Sequence, residues 1–177
     1  IIGNGAREHV FFKLLNESPV KTKLFSINPN AAIQKLSKPI FKPFSFALVK
    51  EIIMNFDIKM VIVGPENPLI DGVYDFIKED SKINHVSVIG PSQNGAQLEG
   101  SKKYAKDFMS RHKIPTASSK TFTKETFLDA CDYVKKSSAP YVLKADGPAA
   151  GKGVVILENV EDAIAELKSM LIDSKFG

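Results

Sequence analysis

Lys144-Ala145-Asp146-Gly147-Pro148-Ala149-Ala150-Gly151-Lys152-Gly153 runs at once into Val154-Val155-Ile156-Leu157. The loop carries three glycines and two lysines between an apolar segment and a β-branched one. Glycines let backbone N–H groups approach an anion closely, and lysines supply point charge, so the stretch suits a hairpin flap over phosphates. A Walker P-loop is excluded: that pattern needs Ser or Thr after its lysine and then a helix, whereas Gly153 and Val154 follow Lys152 and the continuation reads as strand. The plainer alternative is an exposed glycine-rich hairpin without a ligand, but two lysines and an aspartate are more than a turn needs.

Working outward, the spacing of Ala163, Ile164, Leu167 and Leu171 predicts a helix after the hairpin. Before it, 125–136 reads as a helix with Phe127, Leu128, Cys131 and Val134 inward, and 120–123 as a short polar strand. Ser101 caps a helix whose apolar face is Tyr104, Ala105, Phe108 and Met109, ended by Ile114-Pro115. The order after that helix is βαββα, a small α+β unit.

The first half has another texture. Ile1-Ile2 ends a strand, Val10, Leu14 and Leu15 mark a helix, and 23–27 reads as a strand broken by Asn28-Pro29-Asn30. Val49, Ile52, Ile53 and Phe56 share one helical face over 46–56. Residues 60–63 and 86–89 are strands, with a helix over 69–77 between them. Strands alternating with helices imply a parallel sheet, so the expectation is an α/β open parallel-sheet, Rossmann-like domain. Gly3-Asn4-Gly5, Gly64-Pro65-Glu66 and Gly90-Pro91-Ser92 then fall at carboxyl ends of strands, where open parallel sheets bind ligands.

Composition narrows the classes. A hydrophobic content of 44% and a charged content of 25% are those of an ordinary globular chain. The net charge of +4 comes from scattered lysines, so no nucleic-acid stripe is indicated, and small anionic ligands suit the mild excess. Cys131 is the sole cysteine, which excludes an internal disulfide and favours a reducing, cytoplasmic compartment. No apolar run reaches membrane-spanning length. The opening Ile1-Ile2-Gly3 reads as a cut within a strand, so a fragment is expected.

Gly3-Asn4-Gly5-Ala6-Arg7-Glu8 must be weighed against G-x-G-x-x-G. Glu8 replaces the third glycine, and no acidic residue follows the second strand, so a nicotinamide site is disfavoured. A glycine turn at a helix N-terminus with Arg7 suits a phosphate monoester; the competing reading pairs Arg7 with Glu8 on a plain first turn. Glu66, held between Pro65 and Pro68, either grips a hydroxyl or amine or caps the next helix. Lys102 opposes a helix dipole and Lys144 ends an apolar strand. A polyphosphate between them resolves both oddities; two snorkelling lysines are the alternative.

In order along the chain stand Gly3-Asn4-Gly5-Ala6-Arg7-Glu8-His9, Val63-Gly64-Pro65-Glu66-Asn67-Pro68-Leu69, Gly90-Pro91-Ser92, Leu98-Glu99-Gly100-Ser101-Lys102-Lys103-Tyr104-Ala105-Lys106-Asp107-Phe108-Met109, Ile114-Pro115-Thr116 and the stretch 144–154. Together they resemble the ATP-grasp superfamily and, within it, the phosphoribosylamine–glycine ligase family. The resemblance implies a substrate-binding domain over 1–98 and the first part of an ATP-grasp domain over 99–177. It implies ATP and Mg²⁺ as cofactors, with phosphoribosylamine and glycine as substrates and fusion to other purine-pathway domains in some members; neither nucleic acid nor membrane is a partner. Lys102, Lys144, Asp146, Gly147, Ala150, Gly151, Lys152 and Gly153 would contact ATP. Asn4, Gly5, Arg7, Glu8, Gly64, Pro65 and Glu66 would hold the ribosylamine. Catalytic and metal-binding residues are expected beyond Gly177, so the fragment alone should be inactive.

Ala6 and Pro148 depart from the family pattern, where a glycine and a leucine are usual. Rival readings are another ATP-grasp carboxylate–amine ligase or carboxylase subunit, and a non-catalytic nucleotide-binding module.

Overall fold

The computed structural model describes residues 1–149 and 151–176. It divides into two compact units, Ile1–Gln97 and Leu98–Gly177. In the first, α1 (Ala6–Glu17), β1 (Phe25–Ile27), α2 (Ala31–Gln34), β2 (Lys38–Ile40), α3 (Phe46–Phe56), β3 (Met60–Ile62), α4 (Asn67–Ile70), α5 (Val73–Glu79) and β4 (Ser87–Ile89) follow in order. The helix α6 (Gln93–Gly100) then carries the chain into the second unit.

β1 pairs parallel with β2 and β3 parallel with β4. Ile2 forms a parallel bridge to Val63. Its N–H donates to Ile62 O at 2.8 Å, while Ile1 N donates to Phe25 O at 2.9 Å, so the first residues link the two strand pairs. Parallel strands need crossover connections, and these bring the carboxyl ends of the strands to one edge. Ser45 caps α3 by accepting from Leu48 N, and Asp57 ends it at φ 50°. Val49 and Ile53 of α3 pack with Val61, Val63, Val73, Ile77 and Val86 in one core.

The alternating pattern is thus legible, but three details differ. The buried face of α1 is Glu8 and Phe12, one turn apart; Val10 and Leu14 point outward, 51% and 59% exposed. The helix expected over 69–77 is two, separated at Asp71-Gly72, because Gly72 takes φ 95°, a conformation that suits only glycine without strain. Phe56 is half exposed; it stacks on Phe25 at a centroid distance of 4.7 Å. An apolar cavity of about 510 Å³ borders β1 and β3, lined in part by Leu24, Phe25, Ile53, Phe56 and Val61. No candidate site residue of this unit lines it.

In the second unit, α7 (Lys102–Arg111) precedes a short 3-10 turn (Lys124–Thr126), α8 (Phe127–Lys136), β5 (Tyr141–Lys144), β6 (Val154–Leu157) and α9 (Val160–Leu171). β5 and β6 pair antiparallel from Tyr141↔Leu157 to Lys144↔Val154. Ala130, Val134, Tyr141, Ala163 and Leu167 form the core between hairpin and helices. Asn159 caps α9 by accepting from Asp162 N at 2.8 Å.

The strand expected over 120–123 is absent from the structure, so the order is αββα. Phe122 instead lies against Tyr133 of α8, 5.5 Å between ring centroids, with the Lys120 ammonium over both rings. Ring contacts hold this segment where a strand partner would otherwise be required. Leu128, expected inward, is 76% exposed, and Ala130 takes the core position on that face.

Candidate functional site

At the strand ends of the first unit, the residues of the glycine turn are drawn together around one carboxylate. Glu8 is 4% exposed. Its Oε2 accepts from Gly5 N at 2.6 Å, which satisfies a free donor at the start of α1. The space it occupies exists because its neighbours have no side chains. A Cβ on Gly64 would stand 1.9 Å from Glu8 Oε1, and one on Gly3 would stand 2.7 Å from the Glu8 side chain.

Arg7 does not pair with Glu8; its Nη1 donates to Gly64 O at 2.7 Å. The guanidinium thereby ties the helix start to the end of β3 while remaining exposed. Asn4 Nδ2 donates to Asn28 O at 3.2 Å, and Asn30 Nδ2 donates to Asn4 O at 2.7 Å. Asn30 also caps α2. By sequence, Asn28 and Asn30 read only as strand breakers. Two asparagines flanking a proline at a strand end, opposite a glycine turn, are the signal that points to them. Glu66 is exposed and makes no side-chain cap bond to α4, so capping does not account for it. Pro65 is half-buried beside it.

In the second unit, the glycine hairpin is attached to the start of α7. Asp146 accepts from Ser101 Oγ (3.0 Å to Oδ2) and from Lys103 N (2.7 Å to Oδ1). Lys102 Nζ donates to Asp146 O at 3.2 Å and to Gly147 O at 3.1 Å. Ala145 N donates to Gly153 O at 2.7 Å and closes the hairpin base. Gly153 is sterically required there, since an added Cβ would come within 2.6 Å of Ala149 Cβ.

Farther out the hairpin is open. A Cβ on Gly147 or Gly151 would meet nothing within 4 Å, and Gly151 adopts φ 78°. Lys144 and Lys152 are both exposed, so Lys144 is not the buried unpaired charge that its place at the end of an apolar strand suggested. Ala150 lies outside the described residues. The hairpin thus offers open backbone at Gly147 and Gly151, exposed ammonium groups, and Lys102 at its base. That is a surface able to meet an anion.

Among the described residues, no group of three or more His, Cys, Asp or Glu stands together as a metal site. Nor is any helix among them long and apolar enough to cross a membrane.

A parallel α/β unit with glycine turns at its strand ends, followed by an α+β unit with a lysine-flanked glycine hairpin, is the arrangement expected of the ATP-grasp class that the sequence resembles. Residues 1–99 match the family model described as phosphoribosylglycinamide synthetase, N domain, and residues 100–177 match its ATP-grasp (A) domain. The chain belongs to the phosphoribosylglycinamide synthetase family.

Among its relatives, the phosphoribosylamine–glycine ligase of Listeria monocytogenes is 37% identical over 179 residues, covering 100% of this chain and 41% of the relative. A bifunctional purine biosynthetic protein of Pichia angusta is 37% identical over 182 residues, 100% of this chain and 22% of that one. The crystal structure of phosphoribosylamine–glycine ligase from Thermotoga maritima superposes with a TM-score of 0.70 at 28% identity, covering 97% of this chain and 38% of that one. The chain therefore spans about two fifths of the length of the ligases it matches.

Proposed function

We propose that this chain is the substrate-recognition domain, near 1–98, and the opening part of the ATP-binding domain, near 99–177, of an ATP-dependent carbon–nitrogen ligase. The ligase joins glycine to 5-phosphoribosylamine in purine biosynthesis. The observation that carries the reading is the attachment of the glycine hairpin to α7, which keeps Lys102 Nζ within 3.2 Å of the hairpin's base carbonyls. It stands in a chain whose two halves match the two successive domains of one family.

The chemistry asked of these residues is electrostatic. When ATP is bound, it supplies the phosphoryl group that activates glycine's carboxylate as an acyl phosphate for attack by the ribosylamine nitrogen. Lys102, Lys144 and Lys152 counter charge that moves onto phosphoryl oxygens. Gly147, Gly151 and Gly153 let backbone approach the phosphates, and Ala150 belongs to the same loop by sequence. Asn4, Gly5, Arg7 and Glu66, with Gly64 and Pro65 shaping the strand end, hold the phosphate and sugar. Glu8 supports that turn from beneath. The Mg²⁺ ligands are proposed to lie in the part of the ligase that this chain does not span. A cytoplasmic location accords with this biosynthetic role.

The test is turnover by the complete protein. ADP release should require glycine and phosphoribosylamine together, and bicarbonate should not replace glycine. Release that depends on bicarbonate would sink the reading in favour of a carboxylase.

A further inference from the structure

We infer that Asp146 is a positioning residue: its carboxylate pins the base of the glycine hairpin to the first turn of α7 and fixes where the hairpin can bend. The inference deepens the phosphate-flap reading above and rests on it for its functional consequence. A carboxylate is an unsuitable phosphate ligand, because like charges repel. This one already has other partners. It accepts from Ser101 Oγ and from Lys103 N, residues more than forty positions earlier in the chain. An anion there also meets the positive end of the α7 dipole.

The backbone repeats the attachment. Asp146 O accepts from Lys102 N at 3.3 Å and from Lys102 Nζ at 3.2 Å, and Gly147 O accepts from the same ammonium at 3.1 Å. At Gly147 and Gly151 the chain is open, since a Cβ on either would touch nothing, whereas Gly153 packs against Ala145 and Ala149. A segment anchored through three successive residues, the α7 cap Ser101 with Lys102 and Lys103, and open at Gly147 has its bend there. Pro148 fixes the φ that follows. Lys102 is thereby held in place before any phosphate arrives, so less side-chain freedom is lost on binding.

Amide hydrogen exchange of the full chain, resolved by mass spectrometry without nucleotide, tests the pin. D146A should raise exchange about tenfold at Lys103, whose amide donates to the carboxylate, and also raise it at Lys102 and Ala145, whose amides bond across the hairpin base. Exchange in α9 should not change. D146N keeps an acceptor of the same shape and should restore most of the protection, leaving a rise of roughly threefold. Unchanged exchange in D146A, or a D146N that behaves like D146A, overturns the assignment. If D146A also loses protection in α9, D146N alone decides: a rise confined to Lys102, Lys103 and Ala145 supports the pin, and no rise defeats it. A parallel titration with Mg·ATP separates the two readings. Failure of the complete protein that contains this chain to bind it counts against the phosphate flap and leaves the role of Asp146 to the exchange measurement.

Discussion

Two glycine-rich turns stand beside a carboxylate in this molecule, and they use glycine for opposite reasons. Around Glu8, Gly3 and Gly64 are glycine because the acid fills the volume a Cβ would need. Beyond Asp146, Gly147 and Gly151 face open space. The first turn is a packed socket whose glycines are steric requirements, Gly3 being held to glycine by its φ of 112° as well. The second is a pinned hairpin whose outer glycines meet no neighbour, Gly151 alone of them taking a left-handed φ, while Gly153 is packed. A turn of the first kind holds a fixed shape for a small rigid ligand. One of the second kind can change shape around a flexible one.

Substitutions should separate the two sharply. G64A has the largest expected effect, because a methyl 1.9 Å from Glu8 Oε1 forces the buried acid out of its socket. A loss of about 3 kcal/mol in urea-unfolding free energy is expected. E8A should cost about 2 kcal/mol, since it opens a void and leaves Gly5 N without its acceptor. The decisive measurement is the double variant. If socket packing is the cause, E8A with G64A together must cost less than the two losses added, with a coupling on the order of 1–2 kcal/mol. Strict additivity would break the comparison.

On the hairpin the numbers shrink. G151A puts a Cβ on a residue at φ 78° with no clash, so the cost is that of the left-handed conformation alone, about 1 kcal/mol. G147A should lie within about 0.5 kcal/mol. A thermal-unfolding scan that ranked G147A beside G64A would erase the distinction between steric and conformational glycines.

How far the sequence foretold this depends on what each residue asks of its neighbours. Val49, Ile53, Val61 and Val63 carry their own periodicity, and the parallel unit could be read from them. The hairpin was legible because its signal is local: β-branched residues on one side, apolar on the other, glycines between. Burial of Glu8 was not legible, because it depends on Gly64, which reaches it only after folding. Val10 and Leu14 misled for the same reason, since an apolar spacing says which residues share a face but not which face is covered. Gly72 announced its helix break in the pair Asp71-Gly72, yet apolar spacing on both sides outweighed it. Residues 120–123 read as a short polar strand, but Phe122 found a ring partner in Tyr133 instead. In the site, the lysines and glycines were visible by type. That Asp146 turns toward α7 was not, because its partners lie at the far end of a long chain segment.

A third carboxylate calibrates the other two by pH. Asp80 accepts from the Lys50 ammonium, and its second oxygen accepts from Lys82 N at 2.9 Å. The Lys50 hydrogen bond, then the Lys82 backbone bond, hold its pKa below the ordinary value of 3.8. A carboxylate whose folded pKa is depressed adds stability that is complete above the unfolded value and is lost as pH falls through the folded one. The gap in unfolding free energy between the unsubstituted chain and K50M should therefore be flat from pH 7 to about 5. It should narrow below about pH 4 and close in stronger acid. Both partners stand near the surface, so added salt should shrink the gap as well. A gap that persists unchanged to pH 2 would mean that Lys50 contributes through its packed methylenes rather than its charge. Burial and ionisation would then have to be separated again at Glu8 and Asp146 before either turn's stability is ascribed to a carboxylate.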